Sequence, residues 1–157
     1  MPASPNANRL AQLKSLSRLL DDSIPIPGTS YRIGLDPVVD LLPGIGDLLG
    51  LVASSYILLA AYRLGIPRVA LARMAFNIAI DGIVGAVPVL GPVFDAGWKA
   101  NTRNVALIEA HLGSARAGRR DAWFFASIIV ALVAVAACTA FVAVQAFLWL
   151  IHQVNSP

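Results

Sequence analysis

From Ala122 to Ile151 the chain runs for 30 residues without a formal charge, and its most polar side chain there is the amide of Gln145. A bilayer core needs about 20 apolar residues of helix, so this run is read as a transmembrane segment. Trp123 and Trp149 stand 26 residues apart. Along a helix that is about 39 Å, close to the spacing of the two interfacial belts where indole rings settle. Arg116, Arg119 and Arg120 precede the run and His152 follows it. The positive-inside rule therefore expects the N-terminal side in the cytoplasm and the C-terminus outside.

Composition agrees: 57% of the 157 residues are hydrophobic and 13% charged, against about 45 to 50% and 25% for soluble domains. The net charge is +3 and the pI about 9.5, but the basic residues are spread through short loops. They read as topology signals, and nucleic acid is not expected as a partner. The single cysteine, Cys138, lies within the apolar run, so neither a disulfide framework nor a thiolate metal site is expected. No signal-peptide pattern opens the chain. Instead Leu10, Leu13, Leu16, Leu19 and Leu20 recur at helical spacing between Arg9, Lys14 and Arg18. This stripe predicts a short helix that either lies in the membrane interface or packs on the rest of the protein. Pro25, Pro27 and Gly28 then break the chain.

Two stretches, GLDPVVDLLPGIGD (Gly34 to Asp47) and AIDGIVGAVPVLGPVFD (Ala79 to Asp95), align at an offset of 45 residues: Asp36 on Asp81, Pro43 on Pro88, Gly46 on Gly91. Each reads as two helical pieces around a break marked by Pro43, Gly44 and Gly46 in the first copy and by Pro88, Gly91 and Pro92 in the second. Asp36 before Pro37 reads as an N-cap, and Asp47 as the N-cap of a helix from Leu48 to about Arg63. The second copy predicts a helix from Arg68 to Val87, stopped by Pro88, and another from Pro92 towards Glu109. If both copies crossed the membrane, Arg63, Arg68 and Arg73 would face the outside, against the charge rule. If each enters and returns at its break, every basic cluster is cytoplasmic and only the last helix crosses. The second arrangement is expected, with three full crossings as its rival. Broken backbone at membrane depth must be buried in protein or line a watery cavity.

Arg73, Asn77 and Asp81 share one helix face by i, i+4, i+8 spacing, as do Asp95, Lys99 and Arg103. Salt bridging within each trio is the plain reading, Asp95 with Lys99 above all. Asp40 has no cation near it in sequence. Carboxylates at membrane depth are functional candidates by default, and half-helix ends at a break are where secondary transporters bind ions. Asp36, Asp40, Asp47, Asp81 and Asp95, with Arg73, Asn77, Lys99 and Arg103, thus form the candidate ion, proton or structural polar network. GIGD (Gly44 to Asp47) resembles the GxGD of intramembrane aspartyl proteases, which pair two carboxylates. Their second aspartate after Tyr and their PAL motif have no counterpart, since Asp81 follows Ile80. His111 and His152 lie in polar flanks with no nucleophile signature nearby. Catalysis, cofactors and metals are not expected.

IPIPGTSYRIGLDPVVDLLPGIGD followed by RMAFNIAIDGIVGAVPVLGPVFDAGWKANTRN resembles the domain of unknown function 4112 family, small membrane-associated proteins found mainly in bacteria. Pro27, Gly28, Arg32, Gly34, Asp36, Pro43, Gly44, Gly46 and Asp47 match the first motif. Arg73, Met74, Asn77, Asp81, Gly85, Pro88, Gly91, Asp95, Lys99, Arg103 and Asn104 match the second. Asp40 stands where the family more usually has glycine, and Pro92 where it more usually has aspartate. The resemblance implies a bacterial inner-membrane location and no particular activity.

The expected architecture is all-α: an amphipathic helix and Pro-rich linker (1–30), a membrane-embedded part (31–110) with two Pro/Gly-broken hairpin repeats (about 34–62 and 79–107), a basic loop (111–121), a C-terminal transmembrane helix (122–151) and a tail (152–157). The expected role is a non-enzymatic membrane scaffold or interaction module, with membrane lipids and further copies of the chain as partners. An oligomeric ion or proton conductor and a lipid-binding or membrane-shaping protein are the alternatives.

Overall fold

The structure, a computed structural model, describes residues 5–35, 45–85, 87, 93–94, 97–113 and 122–155. Asp36, Asp40, Pro43, Gly44, Pro88, Gly91, Pro92 and Asp95 lie outside the described residues. Five helices appear among them: α1 (Pro5–Asp21), α2 (Ile45–Arg63), α3 (Arg68–Gly85), α4 (Ala100–Leu112) and α5 (Ala122–Asn155). A two-stranded antiparallel ribbon, β1 (Ile24–Pro25) with β2 (Arg32–Ile33), follows α1 and pairs Ile24 with Ile33.

Pro5 opens α1 at the position where its missing N–H costs nothing. The helix turns Leu13, Ser17 and Asp21 inward at i, i+4, i+8. Of the two readings of the leucine stripe, packing is the one observed, because α1 lies against α4. The SIPIPGTS segment, expected only to break the chain, makes a tight reversal: Gly28 takes φ +80°, and the Ile26 N–H donates to Tyr31 O. Gly34 then passes so close to α1 that an added Cβ would overlap the Leu20 carbonyl, while the Leu35 N–H donates to Leu19 O at 3.2 Å.

α2, α3 and α4 bury one stripe each: Ser54, Ile57, Leu58 and Ala61; Ala70, Leu71, Met74 and Ile78; Asn101, Asn104, Val105 and Ile108. The apolar members of these stripes, with Leu13, Ile66, Ile128 and Leu132, form the core. α4 is the hub, packed on α1, α2 and α3, and α5 packs on α3.

Cross-contacts fix the helix directions. Trp98 Nε1 donates to Asn77 O and Asn104 Nδ2 to Met74 O, both at 3.4 Å, so α4 runs antiparallel to α3. Asp21 meets Thr102 while Lys14 meets Glu109, so α1 is antiparallel to α4. Tyr62 stacks on Phe125 with centroids 4.3 Å apart, and the Arg68 guanidinium lies 5.5 Å from the Phe124 ring centroid. α3 and α5 therefore start side by side and run the same way. One end of the body, the base, gathers the starts of α1, α3 and α5 and the ends of α2 and α4. The ribbon and the starts of α2 and α4 form the opposite end, the crown.

Three boundary expectations are corrected. α2 begins at Ile45, so Gly46 lies in its first turn and does not break it, and Asp47 is its third residue where an N-cap was expected. The glycine penalty of about 1 kcal/mol belongs to helix interiors. α4 begins at Ala100, because Lys99 takes a left-handed conformation (φ 51°) that cuts the run expected from Pro92. Lys99 is left as the N-cap residue, its carbonyl accepting the Arg103 N–H at 3.1 Å. In the other copy the aligned residue, Ser54, sits within α2, so the two copies differ at this position, while the aligned residues 55–62 and 100–107 are helical in both.

Candidate functional site

The polar residues that the fold brings together lie along α4. Its N-cap residue, Lys99, supplies no side-chain cap, which leaves first-turn N–H groups in need of acceptors. Asp21, from the end of α1, fills that role across the interface: Oδ2 accepts the Thr102 N–H at 2.6 Å and Oδ1 accepts Asn101 Nδ2 at 3.0 Å. Asn101 Oδ1 in turn accepts the Ser54 hydroxyl at 2.8 Å. One buried chain of hydrogen bonds thus joins α1, α4 and α2. Asp21 is 5% exposed. Burial pushes its carboxyl above the ordinary value, the Thr102 and Asn101 hydrogen bonds pull it down, and the neighbouring Asp22 adds to the rise.

One turn further along α4, Asn104 Oδ1 accepts Asn77 Nδ2 at 2.8 Å. Asn104 is fully buried, and this bond ties α4 to α3. Because Arg73 and Asp81 are eight residues apart, the sequence leaves Asp81 to reach its partner through Asn77 or to find one elsewhere. Asn77 turns to α4, where the buried amide of Asn104 needs a donor for its oxygen. Arg73 is exposed, and Asp81 lies half-buried one turn before the end of α3.

Lys99 pairs with Asp22, and its ammonium stands 4.8 Å from the Tyr31 ring centroid; Asp95, its expected partner, lies outside the described residues. The left-handed backbone at Lys99 directs it towards the end of α1 and the ribbon. Arg103 turns to Trp98: Nε donates to Trp98 O at 2.6 Å and the guanidinium lies 4.1 Å from the ring centroid. Trp98 also stacks on Phe94.

Of the candidate network, then, Asn77, Lys99 and Arg103 meet around the start of α4, joined by Asp21, Asp22, Ser54, Asn101 and Asn104. Asp21 carried a legible signal, since it continues the inward stripe of Leu13 and Ser17. Asn101 and Asn104 likewise fall on the apolar stripe of Val105 and Ile108. The geometry of this group is that of a fastening: acceptors are matched to donors on neighbouring helices.

The family model described as domain of unknown function (DUF4112) matches residues 9–112. The chain belongs to this family. The DUF4112 match runs from within α1 to the last residue of α4, wider than the two motifs, and covers the whole polar group while leaving out α5. A relative from Saccharomyces cerevisiae (strain ATCC 204508 / S288c), uncharacterized membrane protein YLR326W, is 37% identical over 91 residues, 57% of this chain and 38% of that protein. The chain thus spans well under half the length of that relative. No solved structure matches. Among the described residues one helix, Ala122–Gln153 of α5, is long and apolar enough to cross a membrane, and 11% of its apolar window is buried. With the yeast relative, this supports a membrane protein.

Proposed function

We propose that this DUF4112 protein is a non-enzymatic membrane scaffold: a helical body, anchored by α5, that presents its surfaces to membrane lipids and to further copies of the chain. The observation that carries the reading is the buried chain Asp21–Asn101–Ser54 with the Asn77–Asn104 bond. It spends the polar groups of the interior on holding four helices together, which is what a scaffold requires of them. A one-sided topology belongs to the same reading. The contacts of Tyr62 with Phe125 and of Arg68 with Phe124 support it, since they hold the α2–α3 turn beside the start of α5. Both ends of that apolar pair of helices then stay on the side from which α5 departs, which the basic residues mark as cytoplasmic. A bacterial inner membrane is part of the proposal, as is action without cofactor or metal.

Reconstitution tests it. Purified full-length protein in vesicles is expected to leave proton and monovalent-cation gradients as stable as in empty vesicles. A flux that Asp40→Asn or Asp81→Asn abolishes would overturn the scaffold in favour of the conductor.

A further inference from the structure

The α5 helix outlasts the body it packs on, and the place where it emerges says which end of the body meets the bilayer. α3 has 18 residues and α5 has 34, about 27 and 51 Å long. Because the two start side by side and run in parallel, α5 leaves the body at the crown and continues about 24 Å beyond it. Its buried and half-buried positions, Phe124, Phe125, Ile128, Ile129, Leu132, Val135, Ala136 and Thr139, form one stripe against the body, and residues 140–149 are exposed on every side. From Val133 to Gln153 the helix measures about 30 Å, the thickness of a hydrocarbon core.

Side chains at the crown suit a lipid interface. Trp98 bonds to Asn77 O, halfway along α3, and at that level stand Tyr31, Lys99 and Arg103, with each cation over an aromatic ring. Aromatic rings beside cations are what headgroup regions select. Beyond that level on the described part of α3 and just after it, Ile83 and Val87 are exposed and Asp81, one turn up from Asn77, is half-buried. Below it, towards the base, stand Arg9, Lys14, Arg63, Arg68, Arg73 and Glu109, and α1 turns Asn8, Arg9, Gln12, Ser15 and Arg18 to the surface. Immersing that flank would place several charges in hydrocarbon, each costlier there than an apolar side chain left in water.

The geometry points to the crown as the membrane-docking surface: the rim of Tyr31, Trp98, Lys99 and Arg103 lies at the headgroups of one leaflet, Ile83 and Val87 dip beneath them, and α5 crosses with its second half. This rests on the anchored, one-sided reading above and refines its depth. Trp98 and Trp149 then mark the two interfaces, and Trp123, 88% exposed at the base, stays in water. The sequence alone had paired Trp123 with Trp149.

The chain's three tryptophans supply the test. Variants that keep one tryptophan, the other two replaced by Phe, are reconstituted into phosphatidylcholine and phosphatidylglycerol vesicles and quenched either by lipids brominated near the headgroup or by aqueous iodide. Trp98 and Trp149 are expected to lose intensity to the brominated lipid, and Trp123 only to iodide. Quenching of Trp123 by the lipid, with protection from iodide, would overturn the inference while leaving the anchor in place. A Trp149 that the lipid does not quench would instead sink the anchored reading. Because Trp98→Phe removes a packing contact, a second measurement uses Cys138→Ala protein with Ser127→Cys or Val144→Cys. The thiol at 127 is expected to react with a membrane-impermeant maleimide and that at 144 to be protected; protection at both would contradict a water-exposed base.

Discussion

Asp21→Ala is expected to destabilise the helical body by about 3 kcal/mol, as two buried donors lose their acceptor at about 1 to 3 kcal/mol each. The donors are the Thr102 N–H and Asn101 Nδ2, and neither can reach water without parting α1 from α4. Chemical denaturation of the purified protein in detergent, followed by circular dichroism, measures the loss. An effect under about 0.5 kcal/mol, the size of an ordinary surface substitution, would contradict the role given to Asp21. Its pH dependence has a definite sign. The folded carboxyl titrates above its ordinary value near 3.8, so the folded state holds the proton more tightly than the unfolded chain. This contribution is fully present below that ordinary value and is lost as pH rises through the raised one. Asp21→Asn is expected to remove that slope, so the difference between the two proteins changes with pH in the acid range and levels off above it.

Gly34→Ala is expected to cost about 3 kcal/mol as well, by steric overlap and not by lost bonding. The new methyl would overlap the Leu20 carbonyl. Backbone cannot step aside as a flexible side chain can, so the segment after β2 must lift from α1. The Leu35 N–H to Leu19 O bond then breaks with it. Gly28→Ala is the control: it has open space around an added Cβ and only its left-handed φ of +80° to object, at about 1 to 2 kcal/mol. Limited proteolysis between Asp22 and Leu35, compared for the two variants, reads the difference. Equal susceptibility would show that close approach is not what Gly34 provides.

Much of the helical layout was legible because it is written locally. The uncharged run from Ala122 gave α5, the apolar run from Arg68 gave α3, which ends at Gly85, two residues before the expected Val87, and the leucine stripe gave α1. The partners of the polar residues were not legible, because they are distant in sequence. Asp21 and Thr102 are 81 residues apart and Asn77 and Asn104 are 27, and no spacing rule connects them. Lys99 misled for a specific reason. A left-handed residue at 99 breaks the helix expected from Pro92 to Glu109, and nothing in a lysine announces that conformation. The ribbon was missed because its strands are two residues long, too short to show a period of two.

The central claim is that the α2–α3 turn and the far end of α5 lie on opposite sides of one membrane. Single cysteines at Pro67 and Asn155 in a Cys138→Ala background, labelled in sealed vesicles with an impermeant maleimide before and after permeabilisation, test it directly. Pro67 is exposed and avoids Gly65, whose φ of +78° disfavours a side chain. The account predicts that one position reacts before permeabilisation and the other only after it. Reaction of both positions from the same side would contradict it and leave three full crossings as the topology.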